Sequence, residues 1–392
     1  MGPLAGFRII EMAGIGPAPF AAMLFADFEL SRSVAEIVRV DRRETTDLGI
    51  PGREPKFDVL HRGRRSVAVD VKSEAGRDVV KRLVAKADAV IEGFRPGVME
   101  RLGLGPDVLL QVNPKLVFGR MTGFGQDGPL AQAAGHDINY IALAGALHAI
   151  GRKGEAPIPP LNLVGDFGGG GMFLAFGVVC ALLEAQKSGK GQVVDAAMVD
   201  GSATLMALMY GMFSQGGWKD ERGVNVLDTG SPWYNTYQTK DGKWLAVGAI
   251  EKRFYEEFIE RLGLKLADLP KQHDRKGWPD LHRVFTETIK SKTRAEWERI
   301  FEGSDACVAP ILSLGEVADH PHNAARATFS RRDGVLQPAP APRFSRTVPE
   351  MGAPPRLLGA DTDTVLKDYG FEAGEIDALK KTGVVGAAKA ER

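Results

Sequence analysis

The chain has 392 residues, 47 of them glycine, or about 12% where about 7% is usual; the glycines follow no three-residue period and 44% of residues are hydrophobic, which excludes collagen-like and low-complexity chains. Fifty basic and fifty acidic residues cancel, so no global field draws the protein to nucleic acid or to an anionic membrane, and an anionic partner must be met by a local cluster. The length admits two domains or one large one, at about 100–200 residues each.

From Phe7 to about Gly125, strand-like apolar runs alternate with amphipathic helical ones. Strands are expected at Phe7–Met12, Glu36–Val40, Ser66–Val71, Asp88–Glu92 and Lys115–Arg120, and helices at Pro19–Phe28 and Gly76–Ala87. Such alternation predicts βαβ units around a largely parallel sheet, with binding loops at the carboxyl ends of the strands. From Asp137 the pattern changes to long helices, Asp137–Ile150, Phe167–Gln186 and Val199–Ser214, with a short strand at Gln192–Asp195. The uncharged runs Phe167–Leu183 and Gly201–Trp218 approach membrane-span length, but their glycines and polar residues favour buried core helices. Trp233–Ile250 reads as a hairpin around Lys240-Asp241-Gly242-Lys243, followed by helices at Glu251–Leu262, Pro279–Ile289 and Arg294–Phe301. Residues 337–355 hold six prolines and read as an extended crossing segment before two closing helices, Asp363–Tyr369 and Glu375–Lys381. The expected division is a large α/β domain over 1–198 and 325–392 with a parallel, Rossmann-like sheet, a linker helix over 199–227, and a smaller α+β domain over 228–320.

Cys180 and Cys307 lie in apolar surroundings and are expected to be buried, reduced thiols. No basic region precedes an apolar core at the N-terminus, and the C-terminus, Ala390-Glu391-Arg392, is not a peroxisomal address, so a cytoplasmic location is expected. His320-Pro321-His322 lacks the Cys or carboxylate set that would complete a metal site.

Several positions are candidates for chemistry. Gly14-Ile15-Gly16 follows the first strand, but the third glycine of a dinucleotide loop is replaced by Pro19, so a plain strand-to-helix turn is expected. Arg62, Arg64, Arg65, Lys72, Arg42, Arg43, Arg95 and Arg101 flank the strands, and several are expected to converge on one rim where guanidinium forks could hold phosphates. His136 falls where a helix cap or first-turn residue would sit. Asp166 opens the next long helix, where Asp is a routine cap, yet four glycines, Gly168–Gly171, follow in its first turns, each costing about 1 kcal/mol relative to Ala. Bare backbone N–H groups at a helix start suit a developing oxyanion. Glu251 sits between the strand Lys243–Ala249 and a helix.

Taken in order, Gly135–Tyr140, Leu161–Gly170, Gly189–Asp195, Val247–Glu251 and Asp305–Pro310 resemble the motifs of CoA-transferase family III, over nearly the whole chain. The match is to the branch that interconverts R and S 2-methylacyl-CoA thioesters. The resemblance implies α-proton abstraction and return through an enolate, with His136 serving one face, Asp166 the other, Glu251 supporting the histidine, and the Asp166 amide stabilising the oxyanion. It also implies CoA contacts at Arg42, Val69, Asp70, Val71, Lys72, Gly93, Phe94, Arg95, Arg101, Gly135, Asp137 and Tyr140. CoA would be part of the substrate, with no metal or redox cofactor and a place in fatty acid metabolism. An interlocked homodimer is implied too, in which Glu251 comes from the partner chain. The alternative within the family is a CoA transferase in which Asp166 is the acyl-accepting nucleophile. Met172, Met198, Met206, Met209 and Met212 could offer an adaptable apolar surface to an acyl chain. Between Phe25 and Val40 the chain departs from the family pattern: a turn glycine is missing and residues are added, leaving open the register of the strand before Arg42 and the adenine pocket nearby.

Overall fold

A computed structural model describes residues 2–29, 36–43 and 54–387. The chain forms two compact units, one of residues 1–144, 161–205 and 327–392, the other of 145–160 and 206–326.

The first unit is built on six parallel strands, β1 (Arg8–Met12), β2 (Glu36–Asp41), β3 (Arg65–Ala68), β4 (Ala89–Glu92), β5 (Val117–Thr122) and β6 (Gln192–Ala197), in the order β3-β2-β1-β4-β5-β6. This is the strand order of dinucleotide-binding sheets, in which the direction of winding reverses between β1 and β4. Strand residues alternate between two cores. Ile10, Val38, Val67, Val90 and Phe118 pack under the helix Glu74–Val84 and the C-terminal helices, through Val79, Leu83, Val365 and Ile376. Ile9, Ile37, Ile91, Val117 and Met121 pack under the helices Pro17–Glu29 and Met172–Ser188, through Phe25, Leu174 and Val178. β2 pairs with β1 from Arg8↔Glu36 to Met12↔Val40, so the strand before Arg42 runs in register despite the divergent sequence ahead of it; residues 30–35 of that stretch lie outside the described residues.

The stretch from Leu163 to Ser188 is long and apolar enough to cross a membrane by length and composition alone. It opens as a π-helical segment, Leu163–Gly171, and continues as the α-helix Met172–Ser188. Its glycines belong to close crossings. A Cβ on Gly171 would fall 2.6 Å from the Phe20 ring, one on Gly169 2.6 Å from the Ser202 nitrogen, and one on Gly201 1.8 Å from the Gly169 carbonyl oxygen. The segment therefore lies directly on the helices Pro17–Glu29 and Met198–Leu205, and side chains larger than hydrogen are excluded there.

In the second unit β7 (Tyr234–Gln238) and β8 (Trp244–Gly248) form the expected hairpin, and β9 (Val308–Ile311), which carries little strand signal in the sequence, completes an antiparallel three-stranded sheet. Helices Lys252–Arg261, Trp278–Ile289 and Arg294–Phe301 cover it through Phe258, Leu281, Phe285 and Trp297. A two-stranded hairpin of the first unit, β10 (Phe329–Arg332) and β11 (Val335–Pro338), follows further along the chain.

Five expectations are corrected. The helix expected over Asp137–Ile150 is two short ones, Asp137–Leu143 and Ala146–Ala149, parted at Gly145, whose φ of 71° leaves the helical region. The second unit takes in residues 145–160, which the sequence reading assigned to the large domain, because the Arg222 guanidinium donates to the carbonyls of His148 and Glu155. No separate linker spans 199–227: Met206 breaks the helix, the units divide there, and Asp228 orders the rest by accepting from the Gly223 and Asn225 amides. The helix Ala207–Ser214 has no buried residue, and both thiols are exposed rather than buried. Cys180 faces outward one turn from Phe176 and close to Leu183, an apolar stripe that the described residues leave uncovered.

Candidate active site

The parallel sheet gathers the candidate residues at its carboxyl edge. Gly14–Gly16 follows β1 and Gly93–Arg95 follows β4, so the two loops flank the point where strand order reverses, the crevice in which sheets of this kind bind ligands. Gly16 has a φ of 68°, and a Cβ there would lie 3.2 Å from Asp166 Oδ2. The turn that looked like a plain strand-to-helix connection thus leaves room for the Asp166 carboxylate.

His136 caps the helix Asp137–Leu143 from an extended conformation, and its amide donates to Asn139 Oδ1 at 3.0 Å. The imidazole is exposed. Asp166 is not a helix cap, as expected from sequence, but lies inside the π-helical segment, which places its half-buried carboxylate beside the Gly16 turn. Asn162, one turn earlier, donates to Asp166 Oδ2 at 3.0 Å. Burial pushes the Asp166 carboxyl above the ordinary carboxylate range; the Asn162 hydrogen bond and the charge of His136 oppose this, and the charge of Asp137 adds to it. His136 and Asp166 are thus brought together electrostatically, and neither Gly16 nor Asn162 was singled out as part of the site from the sequence. The spacing Asn162 to Asp166, four residues on one helical face, was the signal available for the second.

The Asp166 amide is not free for an oxyanion, as the resemblance implied: it donates to Asp137 Oδ2 at 2.7 Å. Asp137 is buried and its carboxylate turns inward onto that amide, so its side chain does not face a CoA. Tyr140 is likewise buried; its hydroxyl donates to the Gly135 carbonyl and its ring stands edge-on to Phe124 at 4.9 Å. Burial foremost, then Asp166, raises the Tyr140 hydroxyl, while Arg95 acts in the opposite direction.

The basic rim is smaller than the sequence suggested. Arg62 and Arg64 are buried in ion pairs with Asp27 at 2.5 Å and Glu11 at 3.0 Å, and Arg65 pairs with Asp368. Acids on neighbouring elements, invisible to spacing along the chain, account for these arginines. Arg42, Lys72, Arg95 and Arg101 are exposed, after β2, β3 and β4. The Arg42 guanidinium lies 5.9 Å from the centre of the Phe94 ring. Asp70 Oδ1 accepts from the Lys72 amide at 3.1 Å, shaping the loop after β3, whereas Val69 is wholly buried and Val71 packs on the core, so neither offers a side chain to a ligand. Glu251 belongs to the second unit, exposed at the start of the helix Lys252–Arg261 and making no capping bond with its side chain.

Exposed cations after β2, β3 and β4, with His136 and Asp166 on a parallel αβ sheet of this strand order, point to a class. The profile of CoA-transferase family III matches residues 4–362, and the chain belongs to that family. It is 46% identical to the α-methylacyl-CoA racemase of Mus musculus and 43% identical to that of Homo sapiens, over 98% of both chains in each case. It is 28% identical to a Homo sapiens succinyl-CoA:glutarate CoA-transferase, over 98% of this chain and 90% of that one. In structure it resembles a CaiB/BaiF family protein from Brucella suis, with a TM-score of 0.77 and 24% identity, covering 94% of this chain and 99% of that one.

Proposed function

We propose that this chain interconverts the R and S epimers of 2-methylacyl-CoA thioesters, with His136 and Asp166 exchanging the α-proton. The observation that carries this reading is the pairing of an exposed imidazole with a half-buried carboxylate at one end of the sheet. The α-proton of a thioester is weakly acidic, so its removal needs a positioned base, and inversion needs an acid on the other face. His136 takes the proton to leave an enolate, to which Asp166 then delivers its own proton on the opposite face as the electron pair returns to the α-carbon; the roles exchange for the other epimer. Burial raises the Asp166 carboxyl, which brings its proton affinity nearer to that of an ordinary imidazole and supports proton exchange between the two. The electrons of the broken C–H bond pass to the thioester oxygen. Since Asp137 occupies the Asp166 amide, the first-turn amides of Asp137 and Ile138, not committed to another acceptor among the described residues, are the donors assigned to it.

Arg42, Lys72, Arg95 and Arg101 are assigned to the CoA phosphates, with Phe94, Asp70 and Gly93 shaping the crevice. The same proposal takes the reaction to need no further cofactor and carries over, as expectations, a place in fatty acid metabolism and in the cytoplasm. The working form is a homodimer in which Glu251 of one chain steadies His136 of the other. The outward apolar residues Phe176 and Leu183 on the helix Met172–Ser188, 70% and 53% exposed, support a partner surface.

Asp166→Asn separates this reading from the transferase one. In a racemase the variant impairs proton delivery, lowering turnover by about 10²–10⁴-fold, and neither protein forms an acyl adduct. An Asp166 adduct of the native protein that hydroxylamine traps, and that Asp166→Asn abolishes, is the outcome expected of a transferase.

A further inference from the structure

Asp137 is 6% exposed, and among the described residues its carboxylate has one hydrogen bond and no cation. Its Oδ2 accepts from the Asp166 amide at 2.7 Å, while its Oδ1 is buried without a partner. Burying an unpaired charge is unfavourable by several kcal/mol in general, so the arrangement calls for a reason. Two features of its surroundings supply one. The chain that Asp137 grips is the π-helical segment, a geometry that is seldom stable unsupported and whose first-turn N–H groups lack partners within the helix. Gly165 leaves the space for the contact, since a Cβ there would fall 2.5 Å from Asp137 Oδ2.

Asp137 also directly follows His136 in the chain. The one hydrogen bond from Asp137 therefore spans from the helix start that presents the imidazole to the turn that presents the acid. We infer that Asp137 is a positioning residue for the reaction: its carboxylate fixes the separation of His136 and Asp166 and sets a second negative charge behind the acid. The inference rests on the reading that Asp166 transfers the proton. The groups bearing on Asp166 are His136, Asp137 and Asn162, with Tyr140 and Arg95 beyond them; the helices packed on the segment present the uncharged Pro17, Phe20, Ile141, Met198, Ser202 and Leu205 there, with glycine.

Three variants test it, assayed on the intact protein with 2-methylacyl-CoA. Asp137→Asn keeps an acceptor for the Asp166 amide and removes the charge. Turnover is expected to fall by about tenfold or less with KM held within about twofold, and the acid limb of the kcat/KM profile to move to lower pH. Asp137→Ala removes both and is expected to lower kcat by about 10²-fold, the scale of a 1 Å misplacement. Gly165→Ala, which forces the carboxylate off the amide while leaving its charge, is expected to lower kcat without moving the limb. An unmoved acid limb in Asp137→Asn, or native kcat in Asp137→Ala, would overturn the inference. Asp166→Asn run alongside keeps the two readings apart: retained epimerisation there removes Asp166 from the chemistry, whereas lost epimerisation with native Asp137 variants removes Asp137 alone.

Discussion

At the residue scale the site is a contest between burial and partners at Asp166. Burial raises its carboxyl, Asp137 adds to the rise, and Asn162 and His136 pull against it. A racemase pair works with one proton shared between acid and base, and the two reaction directions start from the two placements of that proton, so both share one bell-shaped profile. The acid limb marks the uptake of a second proton by the Asp166 carboxylate. Because that carboxyl sits above its ordinary value, activity is expected to fall as pH drops through a point higher than a free aspartate would give. Asn162→Leu deletes a hydrogen bond that favours the charged form, so it should move the limb further up, as read from kcat/KM against pH; an unchanged limb would remove Asn162 from the site. His136 and Asp166, to which the proposal assigns the proton exchange, stood out in the sequence through the motifs around them. The amide of Asp166 was misjudged, because a side chain 29 positions earlier that accepts from it leaves no trace in local spacing.

Among the elements, the glycine run that stood out in the sequence suggested bare backbone amides and close chain crossings; the crossings are present, on a segment that is π-helical rather than the expected α-helix start. Its crossing with the helices Pro17–Glu29 and Met198–Leu205 depends on side chains 30 to 150 positions away and could not be read from the run itself. Gly201→Ala would place a methyl against the Gly169 carbonyl oxygen, and the expected loss is about 1–3 kcal/mol of unfolding free energy, measured by urea denaturation. The parallel strands were legible because each is a short apolar run between turn residues, while β9, with Pro310 in its four residues, and β10–β11 were too short and polar to stand out. Arg62 shows the same limit in electrostatics. It lies in a basic cluster along the chain, yet it is buried against Asp27, and Arg62→Ala is expected to destabilise the fold by about 3–5 kcal/mol because the carboxylate is left unpaired.

For the whole molecule, zero net charge conceals an uneven surface, with cations after β2, β3 and β4 and an apolar stripe on the helix Met172–Ser188. The stripe is expected to be covered by a second copy. Sedimentation equilibrium should return twice the chain mass of 42.3 kDa, and Phe176→Asp should shift the protein toward monomer. A native monomer that racemises at full rate would contradict the dimeric site. The claim that joins rim, acid–base pair and family membership is proton exchange at the α-carbon, and it is tested most directly by incubating one epimer of a 2-methylacyl-CoA with the protein in deuterated water. The account predicts that both epimers appear and that the α-carbon acquires deuterium as they do; inverted product free of deuterium, or acyl transfer to an added free acid without inversion, would contradict it.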